Sequence, residues 1–258
     1  MRLGRFRIVA SILGGFTAIA GISAGLVLSS APGRATPVPA HSDGTASTVG
    51  ALFLRTHSGQ LTTHFCTGSV VDSPAGDLVI TAAHCLIGRT ASQVAFVPGY
   101  AHGKRPYGEW IATKIIEDPQ WLSSSDPDDD FAFLVVHQAG SNAAVETVTG
   151  GEKLGVGVPA GHSVKVAGYP DALDNPITCQ NAARDFSRTQ FEFDCGGFTN
   201  GTSGSPLLAA DPVTNVETVI GVIGGYQQGG LTASVSYAAK FSTHMAALYQ
   251  SALAATGS

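Results

Sequence analysis

One stretch, Asn200-Gly201-Thr202-Ser203-Gly204-Ser205-Pro206, decides how this 258-residue chain is interpreted. Glycines on both sides of the first serine permit backbone angles that a Cβ forbids, so the chain can turn sharply there. Such a turn presents one hydroxyl and two amide N–H groups. A serine hydroxyl is a weak nucleophile unless a base lies beside it and another group orients that base. The stretch therefore predicts that a histidine and a carboxylate come from elsewhere in the chain.

Two other segments contain these groups. Thr81-Ala82-Ala83-His84-Cys85 supplies a histidine, and Asp130 directly precedes the apolar run Phe131–Val136. If the three side chains meet, Ser203 attacks an acyl carbon, and His84 takes its proton and returns it to the leaving group. The ionised Asp130 then accepts the other ring N–H and stabilises the imidazolium. Histidine, aspartate and serine follow one another in that order.

The stabilisation of the oxyanion is predicted from the same turn. The N–H groups of Gly201 and Ser203 would face the oxygen on which negative charge develops. Two neighbours compete for the assigned roles: Asp129 for that of Asp130, and Ser205 for that of Ser203. The Asn-x-Thr glycosylation pattern that starts at residue 200 is interpreted as chance, because a glycan would block this site.

The amino-terminal composition predicts export. Three arginines precede an uncharged run over residues 8–28, and a stretch rich in Ser, Pro, Ala and Gly follows to residue 40. This order is typical of a secretory signal, and a retained membrane anchor is the alternative. Candidate cleavage sites follow Ala31, Ala35 and Ala40. We expect a secreted, extracellular protein with no stable anchor after cleavage.

The net charge of the chain limits the partners that it is expected to bind. The formal net charge is −5, and it would be −9 without residues 1–40, which hold four arginines and no acidic residue. An acidic surface argues against nucleic acid as a partner. No cofactor or metal is expected. Asp130, which ends the acidic run Asp126–Asp130, is interpreted as the site residue, and a solvated acidic loop and a weak calcium site are the alternatives for the run.

The four cysteines, Cys66, Cys85, Cys179 and Cys195, are an even number, which in an exported chain indicates disulfides. Three connectivities are possible. Two local pairs, 66 with 85 and 179 with 195, are the economical choice. A zinc site is the alternative, but the chain has no C-x-x-C pair.

Short apolar runs separated by turn residues predict an all-β fold, a barrel or a sandwich. The predicted strands are Val49–Leu54, His64–Val71, Leu78–Thr81, Gln93–Val97, Ile111–Ile116, Phe131–Val136, Ser163–Ala167, Gln190–Asp194, Thr218–Gly224 and Ala233–Ala238. A helix is predicted only at the end of the chain. Ser242 or Thr243 caps it, and Met245, Leu248, Tyr249 and Ala252 share one face.

The segments T-A-A-H-C around His84, D-F-A-F-L-V-V from Asp130 and G-T-S-G-S-P around Ser203 resemble the three motifs of chymotrypsin-like serine peptidases, in that family's order. The resemblance runs from about Val49 to the terminal helix. It implies two orthogonal six-stranded β-barrels with a C-terminal α-helix, and the catalytic residues His84, Asp130 and Ser203. It also implies a bridge between Cys66 and Cys85.

The predicted organisation has three parts. Residues 1–40 are the signal and exit segment, 41–140 the first barrel, and 141–258 the second barrel with the terminal helix. The weakly charged stretch 139–148 is the predicted connection between the barrels. The predicted function is that of a secreted, monomeric serine endopeptidase acting on peptides or proteins through an acyl-enzyme.

Two departures from the family's pattern bear on control and specificity. Thr202 stands where animal digestive members carry an aspartate, so activation by that ion pair is excluded and other contacts must hold the oxyanion loop. Gly197 stands where enzymes that cut after Arg or Lys carry an acid, and Ile223 where bacterial glutamyl endopeptidases carry a histidine. Neither a basic nor a glutamate side chain is therefore the expected substrate residue.

The resemblance also implies the substrate-binding residues. The strand Ile223-Gly224-Gly225-Tyr226 would pair with a peptide backbone, and Gly197 is also among the implied substrate-binding residues. Phe198, Asn200, Tyr226 and Val235 would surround a pocket for a small or apolar side chain. A catalytically silent homologue used for binding is the alternative function. An α/β-hydrolase esterase is disfavoured, because Ser205 occupies the last glycine of its G-x-S-x-G motif.

Overall fold

The computed structural model describes residues 37–41, 47–210 and 216–256, so residues 1–36 of the predicted signal segment lie outside the described residues. The strands are β1 (Val38–Pro39), β2 (Val49–Arg55), β3 (Leu61–Val71), β4 (Leu78–Thr81), β5 (Val94–Pro98), β6 (Trp110–Glu117), β7 (Ala132–His137), β8 (Lys153–Leu154), β9 (Ser163–Gly168), β10 (Ile177–Asp185), β11 (Gln190–Phe193), β12 (Cys195–Gly196), β13 (Pro206–Ala210), β14 (Glu217–Ile223) and β15 (Ser236–Lys240). The α-helices are α1 (Pro119–Ser124), α2 (Val145–Thr149) and α3 (Thr243–Thr256). Short 3-10 helices span Ala83–Leu86, Ala91–Gln93, Pro127–Asp129 and Tyr226–Gly229.

Two closed antiparallel barrels form the body of the molecule. The first has the strand order β2-β3-β4-β7-β6-β5. The second has the order β13-β9-β10-β11-β15-β14 and closes through pairing of β13 with β14, while β8 adds in parallel to β14. Closure leaves no unpaired sheet edge in either ring. The predicted pair of six-stranded barrels is confirmed.

The apolar run after Asp130 is explained by burial of β7 on both faces. Leu134 packs into the interior of the first barrel, whereas Phe133 and Val135 pack outward against the second barrel and α3. Successive strand residues point to opposite faces, so a strand that lies between two cores needs apolar residues at every position. The run therefore marks the strand at the barrel interface.

The terminal helix packs against the sheets as predicted, with its main neighbours in β6 and β7 of the first barrel. Ser242 caps it, because its hydroxyl accepts a hydrogen bond from the backbone N–H of His244 at 3.1 Å. Met245, Leu248 and Ala252 are buried in the core shared by the barrels and α3. The spacing of these apolar residues is that of one helix face.

Two short helices were not predicted. Helix α1 begins where the side chain of Asp118 accepts a hydrogen bond from Gln120 N and Pro119 occupies the first turn. Aspartate as N-cap followed by proline is a start signal that the sequence contains. Helix α2 has five residues, too few to show a helical period. It overlaps the stretch predicted to connect the barrels.

Both local disulfides are confirmed, Cys66 with Cys85 and Cys179 with Cys195. The second bridge lies beside β1, which pairs in parallel with β12. His41 extends this contact by exchanging two backbone hydrogen bonds with Thr178. Within the described ranges, no helix has the length and apolar character needed to cross a membrane.

Candidate active site

His84 and Asp130 meet at the edge of the first barrel. The histidine lies in the 3-10 turn that follows β4, and the aspartate lies two residues before the start of β7, which pairs with β4. Asp130 Oδ2 lies 2.7 Å from His84 Nδ1, and Oδ1 accepts the backbone N–H of His84 at 2.8 Å. Gly225 N donates to the same carboxylate at 2.8 Å. Because the Asp130 side chain is fully buried, these three contacts fix both the carboxylate and the ring.

The acidic run before β7 divides its carboxylates among different partners. Asp126 accepts from the N–H of Asp128, and Asp128 accepts from the side-chain amide of Gln190 at 2.7 Å. Asp129 lies 2.9 Å from Nδ1 of His244 on α3. The run is therefore a set of four separately bonded side chains. These hydrogen bonds account for the acidic residues of the run without the alternative interpretation as a solvated acidic loop.

The loop that carries Ser203 has the predicted sharp geometry. Gly201 and Gly204 have φ of +91° and +85°. A Cβ at position 201 would collide with the backbone of Tyr169, and one at position 204 with the backbone of Thr67. Only glycine fits at both positions.

Two amide groups of this loop are free to bind an anion. The N–H groups of Thr202, Gly204 and Ser205 donate to backbone carbonyls. Those of Gly201 and Ser203 donate no hydrogen bond within the part of the chain that the structure describes. Two neighbouring unpaired donors of this kind are what an oxyanion requires.

Thr67, a residue that sequence analysis missed, holds the loop from the first barrel. Its N–H donates to Ser203 O at 2.8 Å, and its hydroxyl donates to Gly201 O at 3.0 Å. The same hydroxyl accepts from Tyr169 N at 3.0 Å, and the side chain is fully buried. These bonds supply the contacts that the absent aspartate at Thr202 does not. The only sequence signal is a polar residue beside Cys66 in a buried strand.

Two cavities meet at Ser203. One, of 330 Å³, is lined by His84, Gly201, Ser203, the Cys66–Cys85 region and Arg89. The other, of 520 Å³, extends from Ser203 past Phe198 and Ile223 to Ser236. No hydrogen bond joins the Ser203 hydroxyl to His84 among the described residues. In peptidases without substrate this bond is often long, and shared lining of one cavity places the two side chains in proximity.

The predicted substrate-binding residues are only partly brought together. Phe198 and Asn200 line the larger cavity, which contains one ionisable side chain, the exposed Asp171. Gly197 does not line it, and its N–H donates to Ala233 O. Val235 is buried outside the lining.

The predicted substrate-pairing segment is engaged inside the molecule. Gly224 N donates to Tyr237 O, Gly225 N to Asp130, and Tyr226 N to the side chain of Gln190. The Tyr226 ring packs edge-to-face with that of Tyr237, with ring centroids 5.1 Å apart, and Tyr226 lines neither cavity. In this conformation the segment presents none of these N–H groups to a peptide, so its pairing with substrate stays a prediction.

A second cluster of titratable groups lies behind the acidic run. Ligand-type atoms of Asp118, Asp129 and His244 all lie within 4.8 Å of one another. Burial raises the pKa of Asp129, with the charges of Asp118 and Asp126 acting in the same direction and His244 opposing them. The hydrogen bond to Asp129 raises the pKa of His244. The contact between His244 and Asp129 thus connects the first turn of α3 to the residue before Asp130.

Two closed six-stranded barrels, with a His–Asp pair on one and a serine turn on the other, define the chymotrypsin-like serine peptidases. The family model described as the trypsin-like peptidase domain matches residues 66–222. The chain belongs to this family and is a serine endopeptidase, a hydrolase that acts on peptides or proteins. No curated protein matches the chain.

Solved structures show the same fold. The protease Anisep from Arthrobacter nicotinovorans is 24% identical, with a TM-score of 0.69 over 83% of this chain and 99% of that chain. The thermostable serine protease AL20 from an extremophilic microorganism is 23% identical, with a TM-score of 0.67 over 81% and 98%. A Glu endopeptidase in complex with MPD is 16% identical, with a TM-score of 0.63 over 84% and 97%.

Proposed function

We propose that this peptidase cleaves peptide bonds through Ser203 as nucleophile, His84 as general base and acid, and Asp130 as the group that orients and stabilises the imidazolium. The observation that carries the proposal is the bond between the fully buried Asp130 and His84 Nδ1, with the other side of the cavity formed by Ser203. This bond leaves Nε2 as the ring nitrogen available to the serine.

The acyl-enzyme step follows from this arrangement. Ser203 Oγ bonds to the carbonyl carbon as its proton passes to His84, and the oxyanion lies against the N–H groups of Gly201 and Ser203. Collapse expels the amine, which takes the proton from His84. Water then repeats the sequence and releases the acid. One oxyanion donor contributes about 3 kcal/mol to the stability of the transition state.

Covalent labelling tests the nucleophile. A fluorophosphonate probe is expected to add one equivalent to the intact protein and none to Ser203→Ala. Ser205→Ala is the matched control, because that hydroxyl is buried and donates to Thr202 O at 2.7 Å. Labelling that persists in Ser203→Ala and disappears in Ser205→Ala would reassign the nucleophile. A folded wild-type protein that takes up no probe and releases no fragments from casein would favour the catalytically silent binding homologue.

The larger cavity supports a preference for an apolar or small side chain before the scissile bond. Phe198, Ile223, Gly229 and Gly230 contribute apolar or backbone surface. Asp171 is exposed, so its charge is screened by solvent. Mass spectrometry of a digested peptide library measures this preference, and enrichment of Arg or Lys before the cut would contradict it.

Secretion is proposed from the two disulfides, since such bridges persist in oxidising compartments. Cleavage of residues 1–40 as a signal would remove β1, which pairs with β12. The cut after Ala40 is therefore disfavoured, whereas cuts after Ala31 or Ala35 retain Val38. Amino-terminal sequencing of the exported protein checks this, and a first residue of His41 would contradict it.

A further inference from the structure

The two cavities correspond to the two sides of a scissile bond at Ser203. The 330 Å³ cavity contains His84, which in the proposed function returns its proton to the departing amine. The part of the substrate that leaves must therefore lie over this cavity. The 520 Å³ cavity is on the far side of Ser203 and receives the acyl part. Residues that line only the smaller cavity are positioned to contact the substrate side chains that follow the scissile bond.

Arg89 is the feature of the smaller cavity that the proposed mechanism does not use. Its guanidinium carbon lies 4.2 Å from the centroid of the Phe65 ring, and Nη1 donates to Cys85 O at 2.6 Å. Phe65 and Cys85 also line the cavity. The stacking and the single backbone bond fix the plane of the guanidinium and leave most of its donors unused.

The charge of Arg89 has no counterion in the described part of the chain, where no ion pair includes it. Arg89 is partly buried, and this burial lowers its pKa. Apart from His84, the described lining of both cavities contains no other basic side chain. A fixed, half-buried guanidinium of this kind matches a carboxylate, which it binds through two parallel hydrogen bonds.

We propose that Arg89 makes the leaving-group side of the cleft a subsite for a carboxylate, which selects peptides with Asp or Glu soon after the scissile bond. The inference rests on the proposed function, because that function assigns the leaving group to this cavity. The free carboxyl terminus of a short peptide offers the same chemistry, and the test distinguishes the two sources.

The first measurement is independent of turnover. Ala-Glu-Ala-amide, Ala-Gln-Ala-amide and Ala-Gln with a free carboxyl terminus are titrated into Ser203→Ala, and binding is followed by NMR. The Glu peptide is expected to bind about tenfold more tightly than the Gln amide, because its acceptor is charged. Tight binding of Ala-Gln alone would assign the carboxylate to the chain terminus. Equal affinities for all three peptides would overturn the proposal.

The second measurement uses the active enzyme on a mixed peptide library. Asp and Glu are expected to exceed Asn and Gln by about tenfold at the first or second position after the cut. Arg89→Gln removes this preference and Arg89→Lys keeps part of it, since lysine retains the charge but not the fork. Arg188→Gln, an exposed arginine outside both cavities, is the control for net charge and leaves the preference unchanged.

The outcomes separate this inference from the proposed function. An unchanged preference in Arg89→Gln would overturn the carboxylate subsite while leaving the peptidase activity established. A wild-type enzyme that cuts no library peptide would overturn the proposed function, and the titration of Ser203→Ala would still decide the role of Arg89.

Discussion

Two adjacent aspartates each hold a histidine, and of these two histidines only His84 lines a cavity together with Ser203. His84 Nδ1 lies 2.7 Å from Asp130, and His244 Nδ1 lies 2.9 Å from Asp129. Both carboxylates are buried, but the His84 side chain is 11% exposed and that of His244 is 54% exposed. The bond between carboxylate and imidazole is thus nearly the same in both pairs. What differs is the surroundings of the ring: His84 lines a cavity with Ser203, whereas His244 is more than half exposed and lines a separate cavity that Ser203 does not reach.

The largest effect on kcat is expected when the carboxylate of Asp130 is replaced by an amide. Asp130→Asn favours the wrong ring tautomer and should lower kcat about 10⁴-fold, with the fold intact. Asp129→Asn is the matched control one residue away and should leave kcat within a few-fold of wild type. Steady-state kinetics on one peptide substrate measures both. A larger loss in Asp129→Asn would assign the catalytic role to that residue.

The next largest effect is expected from removing a disulfide. The two disulfides differ in whether they adjoin His84. Removing either bridge, as Cys66→Ala with Cys85→Ala or as Cys179→Ala with Cys195→Ala, should lower the free energy of unfolding by about 3 kcal/mol. Only the first bridge adjoins His84. Denaturant unfolding and kcat are measured together.

The kinetic comparison separates the bridges. The first double variant should lose both stability and kcat, whereas the second should lose stability with kcat nearly unchanged under conditions where it is folded. Equal losses of kcat in the two variants would show that the bridge beside His84 has no special influence on the ring.

A smaller loss of kcat is expected from a change that disturbs the placement of Ser203 and leaves the His84–Asp130 pair intact. Thr67→Val removes the hydroxyl that joins Gly201 O to Tyr169 N and leaves the His84–Asp130 bond in place. It should lower kcat roughly 10- to 100-fold, with a smaller change in KM, because misplacement of reacting groups costs rate.

Thr67→Ser is the conservative partner of this variant. It keeps the hydroxyl and should recover most of kcat, although it loses a methyl group from the core. If the serine variant were as slow as the valine variant, packing of the methyl group would explain the loss, and the hydroxyl would not be a positioning group.

The sequence predicted the strands that carry a strong apolar pattern. Leu78–Thr81 was predicted with the bounds that β4 has, and Phe131–Val136 is shifted by one residue from β7. Both strands are buried on two faces, so their sequences are uninterrupted apolar runs. Strand β10 was missed, because its nine residues include five polar or charged ones and its buried positions are set by neighbouring strands.

The candidate site was predictable to the extent that its chemistry is local in sequence. His84, Asp130 and Ser203 lie in segments that resemble the motifs of the family. The glycines around Ser203 indicate a sharp turn. Thr67 and Arg89 could not be found in this way. Each acts through a contact that only the closed barrels create, with Ser203 O in one case and with the cavity wall in the other.

The solvent-facing pair predicts a pH dependence of stability. The hydrogen bond to Asp129 raises the pKa of His244, so the folded state binds a proton more tightly than the unfolded state. This stabilisation is fully present below the unfolded pKa of about 6.5 and is lost as pH rises through the folded value. Burial raises the pKa of Asp129, so its contribution also falls as pH rises above 3.8. Both groups therefore make the protein less stable as pH increases.

His244→Gln isolates the histidine part of this dependence, because glutamine keeps a donor for Asp129 but has no charge. Wild type should exceed the variant in melting temperature by about 2 °C near pH 5.5, and the difference should vanish at alkaline pH. The effect is small since His244 is half exposed and its ion pair is screened. His57→Gln, at an exposed histidine in no ion pair of the described chain, should leave the profile unchanged. A difference between wild type and His244→Gln that grew with pH would show that the ring is neutral in the folded protein and stabilises it by packing alone.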